Sequence, residues 1–198
     1  MATSKTNVIV AKPKVTGGIS VAPLGTTLPI DPATDLGAAF KAVGYITSDG
    51  VTRSQDRGAD TIAAWGGSTI AVTYGEQSAT VQFSVAEYLN EAALALVYGD
   101  DNVTVTAATT TKGKKIDIAG DLSSAPHRVV ALQVFSGDAK GLIVFPDFVA
   151  TEVGDTTFVD SDLAAHDITG TLLADENGKY WYEHWDDGQV AAVPPVAK

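Results

Sequence analysis

The sequence predicts a mainly β domain, a β-sandwich or barrel with one flanking α-helix and extended N- and C-terminal arms. Three observations predict this fold class. From Val43 onward, apolar and polar residues alternate with a period of two, as in strands that bury one face. Threonine, valine and tyrosine recur in these stretches and suit a pleated, half-buried surface. A helical period is confined to about residues 85–98.

The predicted strands follow one another along the chain with short connections. The clearest pair places Ile70, Val72 and Tyr74 on one face of the first strand and continues after a short hairpin connection at residues 75–77. The second strand of this pair alternates over residues 78–85. Further strands are predicted at Val43–Thr47, Asn102–Thr106, Lys115–Ala119, Arg128–Phe135, Gly141–Phe145, Thr156–Val159, Ile168–Leu173 and Lys179–His184.

The single predicted helix has both a start and a stop signal. Ser84 followed by Glu87 matches a capping box, and the apolar residues that follow fall on one helical face. Gly99 is placed to end the helix. We therefore predict a helix over about residues 85–98.

Composition divides the chain into three parts: an extended arm over residues 1–30, a β domain over 31–178, and a terminal aromatic strand and tail over 179–198. Proline and glycine interrupt the first thirty residues, so no long helix is expected there. The arm is also too apolar for a free linker, because linkers are polar. We expect it to dock on another surface.

Charge and cysteine content exclude several classes of function. The formal net charge is −11, and residues 147–198 contain 11 acidic residues against two lysines. This distribution opposes binding to a phosphate backbone, which needs clustered Lys and Arg. The absence of cysteine excludes disulfides, thiolate metal sites and cysteine nucleophiles. With no signal peptide or membrane-spanning run apparent, we expect a soluble protein made in a cytoplasm.

No motif for catalysis, a cofactor or a metal stands out, so we predict a protein that is not an enzyme and needs no cofactor. His127, His166 and His184 lack metalloprotease spacing. The aspartates between residues 155 and 167 lack the glycine and glutamate of a calcium-binding EF-hand loop. Carboxylate pairs for glycoside chemistry are defined by distance in space, and the sequence nominates none.

Two other segments are candidates for function. The most aromatic stretch contains Tyr180, Trp181, Tyr182 and Trp185, which are predicted either to anchor a core or interface or, alternatively, to stack on sugars in a carbohydrate-binding or host-adhesion module. The second segment, residues 48–60, is polar and is predicted to be a long ordered loop.

A resemblance to a known family depends on four stretches that follow one another along the chain: Val21–Pro29 (VAPLGTTLP), Ala39–Ile46 (AFKAVGYI), Asp49–Thr52 (DGVT) and Ile62–Gly67 (IAAWGG). Their order and spacing resemble the major tail proteins, or tail tube proteins, of bacteriophages with long non-contractile tails, particularly phages of actinobacteria. The resemblance is densest between about residues 10 and 90.

The resemblance implies a structural virion protein. In that family six copies join their sheets into a ring, and the rings stack into a hollow tube in the phage tail. It implies as partners further copies of the chain, the tape measure protein in the lumen, and the tail terminator and distal tail proteins. Genomic DNA passes through without specific binding, and this chain is not expected to insert into a membrane. Assembly is expected in the host cytoplasm.

A ring stack assigns roles to the arm and to the polar segment. We predict that Val8, Val10, Ile19, Val21 and Leu24 bury apolar surface on an adjacent subunit. We also predict that the loop at residues 48–60 reaches the next ring, where Arg53 or Arg57 pairs with a carboxylate. Asp49 and Asp60 belong to the same predicted inter-ring loop. The alternative is a solvated loop whose arginines pair with nearby aspartates.

Overall fold

A computed structural model describes residues 8–14, 17–121 and 125–189. Its described residues are mainly β, with one short α-helix, which confirms the predicted fold class. The strands are β1 (Lys12–Pro13), β2 (Ile19–Pro23), β3 (Lys41–Ala42), β4 (Ile46–Asp56), β5 (Ala59–Ala63), β6 (Thr69–Tyr74), β7 (Ser78–Val85), β8 (Val103–Thr106), β9 (Lys115–Ile118), β10 (Arg128–Ser136), β11 (Ala139–Val153), β12 (His166–Leu172) and β13 (Tyr182–Asp186). The helix α1 spans Glu91–Tyr98 and is followed by a 3-10 turn at Asp100–Asn102.

Nine strands form one antiparallel sheet in the order β3-β2-β10-β11-β12-β7-β4, with β1 also paired to β10 and β13 to β11. The 15-residue strand β11 connects the two halves of this sheet. Its first part lies between β10 and β13, and its last part pairs with β12. The register with β10 shifts between Arg128 and Val130. Pro146 of β11 lies opposite this irregularity, where its missing N–H is tolerated. Among the described strands the sheet stays open, with β3 and β4 at its ends.

Strand β10 is buried on both faces, which explains its nearly unbroken apolar run. Val130, Leu132 and Val134 belong to the main core, which α1, β7 and β12 complete. Val129 and Ala131 point to the other side, into a smaller cluster with Ala22, Leu142 and Val144. Leu28, Leu36 and Phe40, from the segment between β2 and β3, cover that second cluster.

One glycine is required by close packing in the main core. A Cβ on Gly170 of β12 would overlap the ring of Phe148, which is fully buried in β11. The Phe148 ring also contacts Phe83 of β7, with 6.2 Å between the ring centroids. Glycine at position 170 therefore lets three neighbouring strands share one aromatic cluster.

The helix is shorter than predicted. Val85 ends β7, where it is paired with His166 and Ile46, so the chain is still extended at the predicted start. Asn90 caps the helix instead: its Oδ1 accepts the N–H groups of Ala92 (3.0 Å) and Ala93 (3.3 Å). Glu87 accepts the N–H of Tyr45 (3.0 Å) rather than completing a capping box. Gly99 ends the helix as predicted.

Several strand boundaries also differ from the predictions. Residues Thr156–Val159 do not form a strand; they belong to the connection between β11 and β12. The strand predicted at Gly141–Phe145 is part of the much longer β11, and the one predicted at Val43–Thr47 begins at Ile46. The aromatic strand runs over Tyr182–Asp186 instead of Lys179–His184. Ile19–Pro23 of the predicted arm is a strand of the main sheet.

Candidate assembly surfaces

A long β-hairpin extends from one end of the sheet. Strands β4 and β7 pair as far as Asp56 and Ser78, and the same two chain segments then continue as the separate two-stranded sheet β5–β6. Gly58 and Gly75 mark the junction, where the Gly75 N–H donates to the Gly58 carbonyl (2.8 Å). Gly58 has φ +54°, and a Cβ there would overlap the backbone of Glu76. We call residues 57–77 the projecting hairpin.

The projecting hairpin presents apolar side chains to solvent. Trp65 lies in its terminal turn with a relative exposure of 107%, and Ile62, Ile70, Val72 and Tyr74 are exposed along its strands. Residues 61–75 contain no charged side chain. Ile70, Val72 and Tyr74 share one face of β6, whereas Ile62 is paired with Ala71 and lies on the other face. A two-stranded hairpin is at best marginally stable alone in water, and exposed apolar side chains that share a face mark an interaction site. The projecting hairpin therefore has the properties of a docking element.

The predicted polar loop at residues 48–60 needs correction, because most of it is strand. Asp49 and Arg53 belong to β4, and Asp60 belongs to β5. Pairing with β7 supplies the order that the polar side chains do not predict. Arg57 is exposed at the base of the projecting hairpin, between the two strands.

Arg53 has a partner within its own chain, and its predicted ion pair with the next ring stays a prediction. Its Nη1 donates to Oε1 of Glu183 (2.5 Å), and its guanidinium lies 4.4 Å from the ring centroid of Trp181. Burial raises the pKa of Glu183, but hydrogen bonds from Arg53 and then Trp185 outweigh this, and the pKa lies below its usual value. The ion pair of Arg53 with Glu183 links β13 to β4.

All four residues of the predicted aromatic cluster contact other parts of their own chain. Tyr180 and Trp181 are half-buried against the main core, and Arg53 covers a face of Trp181 that a sugar would need. The Tyr182 hydroxyl donates to Asp175 (2.5 Å), which lowers the pKa of that carboxyl. The Trp185 ring lies over Gly141, where a Cβ would overlap it.

The arm residues separate into two groups. Ile19 and Val21 are only 1% and 6% exposed because they lie in the core of their own chain, so the predicted contact with an adjacent subunit is corrected for both. Short apolar runs between proline and glycine look the same in sequence whether a sheet of the same chain or a neighbour covers them. Val8, Val10 and Leu24 are exposed, and the predicted contact stays open for these three.

Four further exposed apolar side chains lie in two segments that are distant in sequence. Leu89 precedes α1, whereas Phe158, Val159 and Leu163 lie in the connection between β11 and β12. We call these four residues the apolar patch. The ring of Tyr88 connects its two parts, with 5.6 Å between the Tyr88 and Phe158 ring centroids.

The ring of Tyr88 packs on a buried histidine. The rings of Tyr88 and His166 are stacked with 4.2 Å between their centroids, and His166 is fully buried. Its Nε2 lies 3.2 Å from the Tyr88 carbonyl oxygen. Burial lowers the pKa of His166, so its neutral form is favoured.

No group of three or more His, Asp or Glu side chains able to hold a metal occurs in residues 8–14, 17–121 and 125–189. Within these same ranges, none of the helical segments has the length and hydropathy to cross a membrane. The exposed features of the described residues are the projecting hairpin, the apolar patch and the strands at the ends of the sheet.

The sequence matches the family described as Phage tail tube protein over residues 1–193. The chain belongs to this family. Its place is accordingly in the tail of a phage virion, in a structural role. The tail tube chain also matches a solved structure described as the anti-feeding prophage cap, a tube-terminating cap, with 10% sequence identity and a TM-score of 0.37. That match covers 93% of the tail tube chain and 99% of the cap chain. No curated protein matches the sequence.

Proposed function

We propose that this tail tube protein assembles from copies of itself into hexameric rings that stack as the hollow tube of a phage tail. The observation that carries the proposal is the projecting hairpin, whose apolar side chains are uncovered in the single chain although the family is one that builds tubes. A surface of this kind is explained when a further copy covers it.

The ends of the main sheet support ring formation. Strand β4 is 11 residues long and pairs only with β7 among the described strands, so its other edge has free backbone donors and acceptors. Strand β3 lies at the opposite end of the sheet. A ring in which the end strands of neighbouring copies meet makes use of edges that would otherwise favour uncontrolled aggregation.

The acidic composition supports a role as a conduit. With a net charge of −11, the assembled wall repels DNA phosphates, so the genome passes without specific binding during delivery into the host. The proposed partners are the tape measure protein in the lumen and the terminator and distal tail proteins at the two ends. Assembly takes place in the host cytoplasm, and the protein does not act as an enzyme.

Negative-stain electron microscopy of the purified full-length chain, combined with sedimentation over a range of concentrations, tests this proposal. We expect annular particles with sixfold symmetry and stacks of them at high concentration. Val72→Asp places a charge on the projecting hairpin and should abolish the stacks. Thr106→Asp places the same charge on an exposed position of β8 and serves as the matched control. A chain that remains monomeric at every concentration and is absent from virion tail tubes would contradict the proposal.

A further inference from the structure

We propose that His166 is a pH-sensitive switch that holds the connection between β11 and β12 closed at neutral pH and releases it when the imidazole is protonated. Residues 154–165 form this connection, and we call them the β11–β12 connection. The switch operates within the single chain and is independent of the proposed tube assembly.

His166 lies where the β11–β12 connection enters the sheet. It is the first residue of β12, and its backbone pairs with Val85, the last residue of β7. These two residues form the final pair of the β7–β12 ladder, although the imidazole itself is fully buried. The end of a ladder opens at a lower free-energy cost than its centre. The ring can therefore leave the core without disruption of the strand pairs that follow it.

The buried imidazole is held by two aromatic rings and one hydrogen bond. It is stacked on Tyr88 with 4.2 Å between the ring centroids, and Tyr98 of α1 contacts it edge-on at 6.3 Å. Nε2 lies 3.2 Å from the Tyr88 carbonyl oxygen, and it donates the hydrogen bond because a carbonyl oxygen only accepts. Nδ1 has no hydrogen-bond partner among the described residues. The site therefore fits a neutral imidazole with its proton on Nε2.

A protonated imidazole does not fit this environment. Both of its nitrogens are donors, whereas the described part of the chain provides an acceptor for Nε2 alone. A buried charge with an unpaired donor is costly. Burial lowers the pKa of His166 below its ordinary 6.5, although the hydrogen bond to Tyr88 and the charge of Asp167 act in the opposite direction. Protonation is therefore coupled to movement of the ring into solvent.

The charged groups of the neighbouring elements are engaged elsewhere. Strand β7 contains no titratable residue. Glu87, in the segment before α1, accepts the N–H of Tyr45 (3.0 Å), and Glu91 of α1 is paired with Lys114 (2.7 Å). Asp167 follows His166 on β12, so its exposed side chain lies on the opposite face of the strand. The nearest carboxylate in sequence therefore does not supply the missing acceptor inside the core.

The imidazole acts on the β11–β12 connection through Tyr88. The rings of Tyr88 and Phe158 are 5.6 Å apart between centroids, and Phe158 is 71% exposed, so this contact holds the connection only weakly. When the imidazole leaves, Tyr88 loses its stacked neighbour and Phe158 loses the support of a fixed ring. The connection also contains three exposed aspartates, which place carboxylates near an imidazolium that reaches solvent: Asp155, Asp160 and Asp162.

The pH range of the switch follows from the difference between its two states. In the open state His166 is solvated and titrates near its ordinary 6.5, whereas in the closed state its pKa is lower. The open state therefore binds more protons below pH 6.5. The closed state is fully favoured above this pH. Below it, the ratio of open to closed molecules rises by about tenfold per pH unit until the closed-state pKa is reached.

Hydrogen exchange of the full-length chain, resolved by NMR and corrected for the intrinsic pH dependence of exchange, measures this ratio. The probe is the Gly154 N–H, which donates to the Asp167 carbonyl (2.8 Å) and joins the two ends of the β11–β12 connection. We expect its protection to fall on the order of tenfold when the pH is lowered from about 7.5 to about 5.5. The amides of β10, in the centre of the sheet, should keep their protection.

Two substitutions remove the titration and retain part of the contact. His166→Phe keeps an aromatic ring on Tyr88, and His166→Gln keeps a donor for the Tyr88 carbonyl. Both should make the protection of Gly154 independent of pH in this range. His127→Gln is the matched control, because His127 is exposed and paired with Asp147 on β11, and this variant should keep the pH dependence.

Three results would overturn the inference. The first is a loss of Gly154 protection at acidic pH that persists in both His166 variants. The second is unchanged protection in the unmodified chain over the whole pH range. The third is a His166 imidazole that titrates at 6.5 in the NMR spectrum of the unmodified chain while Gly154 stays protected. The last two measurements need no variant, so they decide the question even where a variant fails to fold. Tube assembly is tested separately by electron microscopy and does not depend on any of these results.

Discussion

Arg53 illustrates how one side chain connects distant parts of the chain. It lies on β4, and its guanidinium reaches both Glu183 of β13 and the ring of Trp181. Both partners of the ion pair are about 30% exposed, so solvent weakens their attraction. The stacked Trp181 ring adds a contact that does not depend on the charge of Glu183. The contact holds the C-terminal strand against the far end of the main sheet.

At the residue scale we predict that Arg53→Gln lowers the free energy of unfolding by about 1 kcal/mol at pH 7. The pKa of Glu183 is depressed in the folded state below its ordinary 4.5. The ion-pair contribution is therefore complete above pH 4.5 and is lost as the pH falls through the folded-state pKa. Urea unfolding at pH 7 and at acidic pH measures the change, with exposed Arg57→Gln as control. An equal loss at both pH values would contradict the role assigned to Glu183.

At the scale of elements, the N-terminal segment combines a strand of the main sheet with residues that remain exposed. Strand β2 pairs with β10 over five positions and buries Ile19 and Val21. Further upstream, the Val10 N–H donates to Ser136 Oγ (3.0 Å), while the side chains of Val8 and Val10 face solvent. Removing the whole segment and removing its start therefore have different consequences.

Deleting residues 2–24 should prevent folding, because β10 loses two neighbours and the main core loses Ile19 and Val21. Deleting residues 2–11 keeps β1 and β2 and should leave the thermal unfolding midpoint nearly unchanged. If Val8 and Val10 contact an adjacent subunit, this shorter deletion should still shorten the tubes seen by electron microscopy. Tubes of full length would remove these two residues from the interface, and a well-folded 2–24 deletion would contradict the assignment of β2.

The sequence predicted elements well where alternation and burial coincide. Strands β7, β10 and β12 each bury a regular set of apolar residues and were predicted with small boundary errors. For residues 48–56 of β4 the sequence predicts a loop, because the order of this segment comes from pairing with β7 rather than from its polar side chains. The helix start was placed too early, because β pairing at Val85 outweighs a local capping signal.

The candidate surfaces were harder to predict for a related reason. Ile70, Val72 and Tyr74 alternate in the same way whether their face is covered by the same chain or by another copy. Only the fold reveals that this face is open. The segments before α1 and between β11 and β12 meet through the ring contact of Tyr88 with Phe158, and a contact of this kind has no periodic signal in the sequence.

At the scale of the whole molecule, net charge and apolar docking have opposite effects on assembly. Each copy has a formal charge of −11, so copies that approach one another are repelled over a distance set by the salt concentration. Docking through the projecting hairpin provides no charge from residues 61–75 to offset this repulsion. Stacking through Arg57 and a carboxylate would behave in the opposite way, because salt weakens an exposed ion pair.

We therefore predict that raising the sodium chloride concentration from about 50 to about 500 mM lowers the protein concentration at which tubes form, because screening shortens the range of the repulsion while apolar burial persists. Sedimentation of tubes at a series of protein concentrations measures this threshold. Arg57→Gln should follow the same salt dependence, since Arg57 lies at the base of the projecting hairpin, outside its uncharged residues 61–75. A threshold that rises with salt in the unmodified protein, and no longer does so in Arg57→Gln, would show instead that an ion pair of Arg57 holds the stack together.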